Sequence, residues 1–144
     1  ILMDKNIICS GALFYATSTK RFLFLQRNDP KTKGLWGLVG GRARWTESAF
    51  DGLKREINEE VGQAPAFKKV IPLELFTSND QKFHFNTYVI ATANEFIPKL
   101  NGEHSGYCWT SFGCWPKNLH GGLKNTLNNK AIKGKLQTIL DLIT

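Results

Sequence analysis

Glu56, Glu59 and Glu60 sit at spacings i, i+3 and i+4 in the stretch REINEEVG, residues 55–62. If this stretch is helical, the three carboxylates share one face. Crowded like charges repel one another, and a fold tolerates them when something positive lies between them. Hard divalent cations want oxygen ligands, and Mg2+ typically takes one or two carboxylates together with water and substrate phosphates. The pair Gly40-Gly41 lies just upstream, where the backbone can approach closely and a free carbonyl could add another oxygen. Arg55 stands four residues before Glu59 and can pair with it, holding a ligand carboxylate in place. Spacing alone also allows a plainer alternative, a solvated acidic helix face.

The remainder of the chain makes this acidic segment stand out. The 144 residues carry a formal net charge of +7. Of 19 Lys and Arg, all but Lys54 and Arg55 lie outside residues 46–62, whereas five of the 12 acids, Glu47, Asp51, Glu56, Glu59 and Glu60, lie inside it. A basic surface attracts polyanions by long-range steering. Hydrophobic content of 42% and charged content of 22% are ordinary for a soluble globular protein, and the length predicts one domain over residues 1–144. No apolar run approaches the roughly 20 residues that span a bilayer. Asp4 and Lys5 precede a short apolar run that reads as a strand rather than a signal peptide, and Met3 is a candidate natural start. Cys9, Cys108 and Cys114 are odd in number and lack CxxC spacing. That argues against a disulfide framework or a zinc site, fits a cytoplasmic location, and reads each cysteine as a small packed residue.

The carboxylates need a scaffold, and the pattern supplies one. Residues 6–16 and 21–26 are apolar and β-prone, with a turn between them. A loop over 28–34 leads into a short strand over 35–39, and further strands are predicted over 70–76, 83–92 and 106–111. Thr46 is the expected N-cap of the first helix, Phe50, Leu53, Ile57 and Val61 its buried stripe, and Gly62 its stop. After Pro116 a second apolar stripe runs from Leu119 to Ile143, interrupted around Asn128-Asn129. Lys124, Lys130, Lys133 and Lys135 lie between its members, so this is a sheet cover with a basic outer face. The order of elements gives a mixed α/β layered domain.

Gly41, five residues, Glu47, seven residues, then Arg55-Glu56-Ile57-Asn58-Glu59-Glu60-Val61-Gly62: this series resembles the Nudix box, Gly-x5-Glu-x7-Arg-Glu-U-x-Glu-Glu-x-Gly-U with U aliphatic. Seven fixed residues match by chance on the order of 10⁻⁸ per start position at ordinary residue frequencies. Gln63 replaces the final aliphatic residue, which touches local packing and not chemistry. The resemblance implies a Nudix fold, an α/β/α sandwich with a mixed β-sheet. It also implies a Mg2+-dependent hydrolase (Mn2+ a substitute) of nucleoside diphosphates linked to another group, with water attacking phosphorus. On the matching positions, Glu56, Glu59 and Glu60 are expected to bind metal and Gly40 to offer a carbonyl. Arg55 and Glu47 are expected to support the site.

The surrounding segments are similar to particular branches. Residues 23–42, LFLQRNDPKTKGLWGLVGGR, look like the region before the box in GDP-mannose mannosyl hydrolases. There Arg27 and Arg42 match arginines that contact the diphosphate, a task suited to the guanidinium fork. That branch has lost glutamates from its box and this sequence keeps them, which favours attack at phosphorus over attack at a sugar carbon. EHSGYCW, residues 103–109, is similar to a segment after the box in dinucleoside polyphosphate hydrolases, dihydroneopterin triphosphate pyrophosphohydrolases and the mannosyl hydrolases. Several subfamilies place a base or an extra metal ligand there, so Glu103 or His104 is the expected residue. Phe83, Phe85, Tyr107, Trp45 and Trp115 are candidates for stacking on a base, with Trp109 expected in the core. The expected substrate is a nucleotide sugar, a dinucleoside polyphosphate or a (d)NTP. The basic charge also permits an RNA 5′ end, without a recognition signature to support it. A non-catalytic nucleotide sensor is the third reading; such proteins typically erode the box, which is complete here. No membrane partner is expected, and the chain is expected to be a monomer or homodimer.

Overall fold

The computed structural model describes residues 6–143. Met3, Asp4 and Lys5, read above as a candidate start and as polar residues ahead of a strand, lie outside the described residues. The elements run β1 (Ile7–Ala16), β2 (Arg21–Arg27), β3 (Trp36–Gly37), β4 (Val39–Arg42), α1 (Ala49–Val61), β5 (Lys69–Thr77), β6 (Phe83–Thr92), β7 (His104–Ser111), α2 (Gly121–Asn128) and α3 (Lys130–Ile143). The strands form one mixed sheet in which β1 is central: it runs parallel to β6 along its whole length and antiparallel to β2 and β4. β7 extends the sheet beyond β2, and β5 beyond β6.

Period-two alternation sorts the core onto two faces. Ala12, Phe14, Leu23, Leu25 and Ile90 point to the face covered by Leu53, Ile57 and Val61 of α1. Leu13, Tyr15, Phe22, Phe24, Val89 and Ala91 point to the other face, covered by Leu123, Leu127, Leu136, Ile139 and Ile143. The result is an α/β/α sandwich, as the resemblance implied. Fully burying a large aliphatic side chain is worth about 1.5–3 kcal/mol, so three such residues hold α1 firmly against the sheet. No described helix is long and apolar enough to cross a membrane.

Three expectations are corrected. The predicted strand over 35–39 is two strands, because the chain changes partner at Leu38. Trp36 and Gly37 pair with β2, whereas Val39–Arg42 pair with β1. The first helix is capped by Ser48 and not Thr46: the Ser48 hydroxyl accepts the Asp51 N–H at 3.1 Å. Residues 44–47 form a turn closed by Glu47 N–H to Arg44 O at 3.0 Å, which keeps Glu47 out of the helix. Cys114 is exposed rather than packed; Cys9 and Cys108 are half-buried. Elsewhere the pattern and the fold agree closely. Gly62 ends α1 at φ 77°, Asn129 separates α2 from α3, and the lysines at 124, 130, 133 and 135 are exposed. β7 begins two residues earlier than expected, at His104.

Candidate active site

The site forms where α1 crosses β4 at close range. A Cβ on Gly52 would lie 2.9 Å from Ala43 Cα, so only glycine lets the helix approach this near the strand's exit. A Cβ on Gly40 would meet Ser10 O at 2.0 Å, and one on Gly41 would meet Glu56 Oε2 at 2.6 Å. Both glycines therefore leave space that neighbouring groups fill. The Gly40 N–H donates to Glu60 Oε1 at 3.0 Å.

The three box carboxylates occupy different environments. Glu60 is 3% exposed, Glu56 is half-buried, and Glu59 has a 45% exposed side chain. Burial, then the hydrogen bond that a protonated Glu60 donates to the Glu56 carboxylate, and the Glu56 charge push the Glu60 pKa up to about 9. Without a cation, Glu60 thus holds a proton at neutral pH.

Arg55 organises the other two. Its Nη1 donates to Glu56 Oε1 at 2.7 Å and lies 3.3 Å from Glu59 Oε2. Its Nε and Nη2 take Glu47 as a fork, at 2.8 and 2.9 Å, and Nη2 also donates to Arg42 O at 3.1 Å. Glu47 further accepts the Arg44 N–H at 2.7 Å. The Arg55 bonds and that N–H hold the Glu47 carboxyl down at about 2.

Glu103 and His104 reach the same region at the start of β7. Glu103 is near enough for its charge to raise Glu60. His104 is 9% exposed, pairs across strands with Arg27, and leaves Nδ1 without a hydrogen-bond partner. Burial and the Arg27 charge lower its pKa. Arg27 itself is held by Asp29 Oδ1 at 3.1 Å and Thr32 Oγ1 at 2.6 Å. Arg42 and Trp45 line a cleft with Arg44, Arg55 and Glu56, and Trp45 is 72% exposed. The structure so gathers Gly40, Arg42, Trp45, Arg55, Glu56, Glu59 and Glu60 around α1 and the end of β4, with Arg27, Glu103 and His104 along the neighbouring edge.

Some base-stacking candidates fall away. Trp115 packs edge-on against Phe22, Phe24 and Phe112 in the core of the α2/α3 face. Phe83 packs with Phe76 and Phe85, and Phe85 lies across Gly11 on the strand. Trp109 packs on Phe96 and donates to its carbonyl at 3.2 Å. Tyr107 is 39% exposed on β7. Several contributors carried little sequence signal. Arg44 lies 3.8 Å from Glu59, Asn101 bonds the Glu59 carbonyl at 2.9 Å, and Gly52 permits the helix crossing. An arginine two residues after Arg42 and an Asn-Gly turn are the only hints a sequence offers for the first two.

A hard divalent cation suits this donor set. Among the described residues, no group of three His, Cys, Asp or Glu side chains is already drawn together tightly enough to hold an ion. The Arg55 guanidinium instead stands between Glu56 and Glu59, and burial favours the protonated form of Glu60. Carboxylate and carbonyl oxygens are the ligands that Mg2+ and Mn2+ prefer. The missing Cβ of Gly41 lets the Glu56 carboxylate lie directly against β4.

No curated protein sequence matches this chain at a level that identifies a relative. Solved structures do. A MutT NUDIX hydrolase from Burkholderia pseudomallei is 22% identical, with a TM-score of 0.70 over 88% of this chain and 98% of its own. An ADP-ribose pyrophosphatase from Streptococcus suis is 23% identical, with a TM-score of 0.66 over 92% of each chain. The E. coli dihydroneopterin triphosphate pyrophosphohydrolase is 19% identical, with a TM-score of 0.59 over 92% of this chain and 94% of its own. At such identities the likeness is one of fold. The family model for the NUDIX domain matches residues 8–126, from β1 through α1 and the box to α2. With that match across most of its length, the chain belongs to the NUDIX domain family, the Nudix hydrolases.

Proposed function

We propose that this Nudix hydrolase is a Mg2+-dependent pyrophosphohydrolase that cleaves a nucleoside diphosphate linked to another moiety, by attack of water at phosphorus. The observation that carries the reading is the set of box carboxylates, with buried Glu60 beside Glu56, gathered at Gly40-Gly41 of β4 and braced by Arg55. Glu56, Glu59, Glu60 and the Gly40 carbonyl would hold the metal, with Mn2+ able to substitute. When bound, the cation would neutralise pyrophosphate charge and make water easier to ionise.

The chain's own groups do the rest. Arg42 and Arg44, exposed in the cleft, draw in and orient the diphosphate, and Arg27 extends that basic edge. Trp45 offers an exposed ring for the base. Glu103 accepts the proton as the water oxygen bonds to phosphorus. The bridging oxygen then leaves with the electrons of the broken P–O bond. His104, its pKa lowered by burial and by the Arg27 charge, stands next to Glu103 as a candidate for contact with the substrate.

The structural neighbours are named for ADP-ribose and for dihydroneopterin triphosphate, two unlike groups on a common phosphate anhydride. That supports the reaction class and leaves the leaving group to experiment. Three free thiols agree with a reducing, cytoplasmic setting. The test is phosphate release from nucleotide sugars, ADP-ribose, dinucleoside polyphosphates and (d)NTPs, with Mg2+ and with EDTA. Turnover that requires Mg2+ and is confined to one class supports the reading; binding without turnover points to a sensor.

A further inference from the structure

The loop from Asn101 to His104 carries Glu103 to the site, and its fastening is specific. Asn101 Nδ2 donates to the Glu59 backbone carbonyl at 2.9 Å, at the last turn of α1. The same amide's Oδ1 accepts the Glu103 N–H at 3.0 Å, and Nδ2 lies 3.5 Å from Glu103 Oε2. A single side-chain amide thus joins the backbone of one box glutamate to both the backbone and the carboxylate of Glu103. The far side is tied by Asn28, whose N–H donates to Glu103 O at 3.0 Å and whose Nδ2 donates to Gly102 O at 3.2 Å. A Cβ on Gly102 would meet nothing within 4 Å, so the loop faces open space at that residue.

The chemistry demands an amide at position 101. A carboxylate there could accept from the Glu103 N–H but could not donate to the Glu59 carbonyl, and it would repel Glu103. An alanine would satisfy neither partner. The orientation of the amide is fixed by its partners, because a carbonyl needs the NH2 end and an N–H needs the oxygen end.

We infer that Asn101 is a positioning residue: it acts through Glu103, setting that carboxylate at a fixed place relative to Glu59 and Glu60. The inference rests on the hydrolase reading above, with Glu103 as the proton acceptor. An error of about 1 Å in placing a reacting group can cost on the order of 10²-fold in rate, so loss of the amide falls on kcat.

A double-mutant cycle tests it, with Asn101→Ala, Glu103→Gln and the pair, each checked for folding by its melting curve. The expected result is that Asn101→Ala lowers kcat about 10- to 100-fold with KM changed less than about threefold. Its effect should vanish in the Glu103→Gln background, because there is then no base to position. Asn101→Asp should be at least as damaging as alanine, and it supplies the test should Asn101→Ala fail to fold. Multiplicative losses in the cycle would overturn the inference, as would kcat for Asn101→Ala within about twofold of the parent. Full activity in Glu103→Gln would overturn it at its base. Absence of turnover by the parent protein across the substrate panel would instead sink the hydrolase reading, a result distinguishable from the others.

Discussion

Arg55 and Glu47 face one another through two parallel hydrogen bonds, at 2.8 and 2.9 Å, from inside α1 to the turn that precedes it. The same guanidinium reaches Glu56 at 2.7 Å. A bond network of this shape needs a planar fork, and a lysine ammonium cannot reproduce it. Arg55→Lys should therefore keep the charge yet lose the geometry. We expect kcat to drop about 10- to 100-fold, the range seen when a residue orienting a metal ligand is changed. Steady-state kinetics beside a melting curve will check this; parent-like kcat would show that the fork is dispensable.

Glu59 is the most exposed of the box carboxylates, so its replacement disturbs packing least. Glu59→Gln should lower kcat by at least about 10²-fold, as loss of a charge that stabilises the transition state typically does. Its circular dichroism should match the parent. Near-parental turnover would remove Glu59 from the metal set.

Gly41 has its room taken by Glu56, whose Oε2 would lie 2.6 Å from an added Cβ. Gly41→Ala should push that carboxylate aside while leaving the fold intact. The expected signature is weaker Mn2+ binding, read by the free-Mn2+ resonance signal, together with reduced kcat. Unchanged Mn2+ affinity would mean that Glu56 does not ligate.

Glu60 gives a pH dependence with a definite sign. Its folded-state pKa is raised to about 9 by burial and by Glu56, so the folded protein keeps a proton that the unfolded chain releases near 4.5. That stabilisation is complete at low pH and is lost as pH rises toward 9. Glu47 and Asp29 have the opposite sign. Both are lowered to about 2, so their contribution is lost as pH falls through that value. In EDTA, Tm should fall between about pH 5 and about pH 9, and Glu60→Gln should flatten the fall. Mg2+ should oppose it, since a cation replaces the proton. Identical slopes with EDTA and with Mg2+ would count against a cation at Glu60.

The succession of strands along the chain and both helical layers were legible because β1 and β2 are nearly continuous apolar, β-prone runs and α1 carries one apolar stripe. Spacing put Glu56, Glu59 and Glu60 on one helix face near Gly40 and Arg55, and the resemblance to the box gave them a common task. What the sequence concealed depends on contacts between distant segments. Thr46 is the expected cap; Ser48 takes the position, with Glu47 outside the helix where it meets Arg55. Leu38 gave no sign of a break, since a change of strand partner leaves no local mark. Asn101 has no motif to single it out, and only the approach of its loop to α1 gives the amide its two partners.

The most direct test of metal-dependent hydrolysis is phosphate release by the parent protein across the nucleotide panel, run with Mg2+ and repeated in EDTA. Turnover should appear with Mg2+, confined to one class of phosphoric anhydride, and vanish in EDTA. Equal turnover in EDTA, or none with either while nucleotides still bind by calorimetry, would refute a Mg2+-dependent pyrophosphohydrolase.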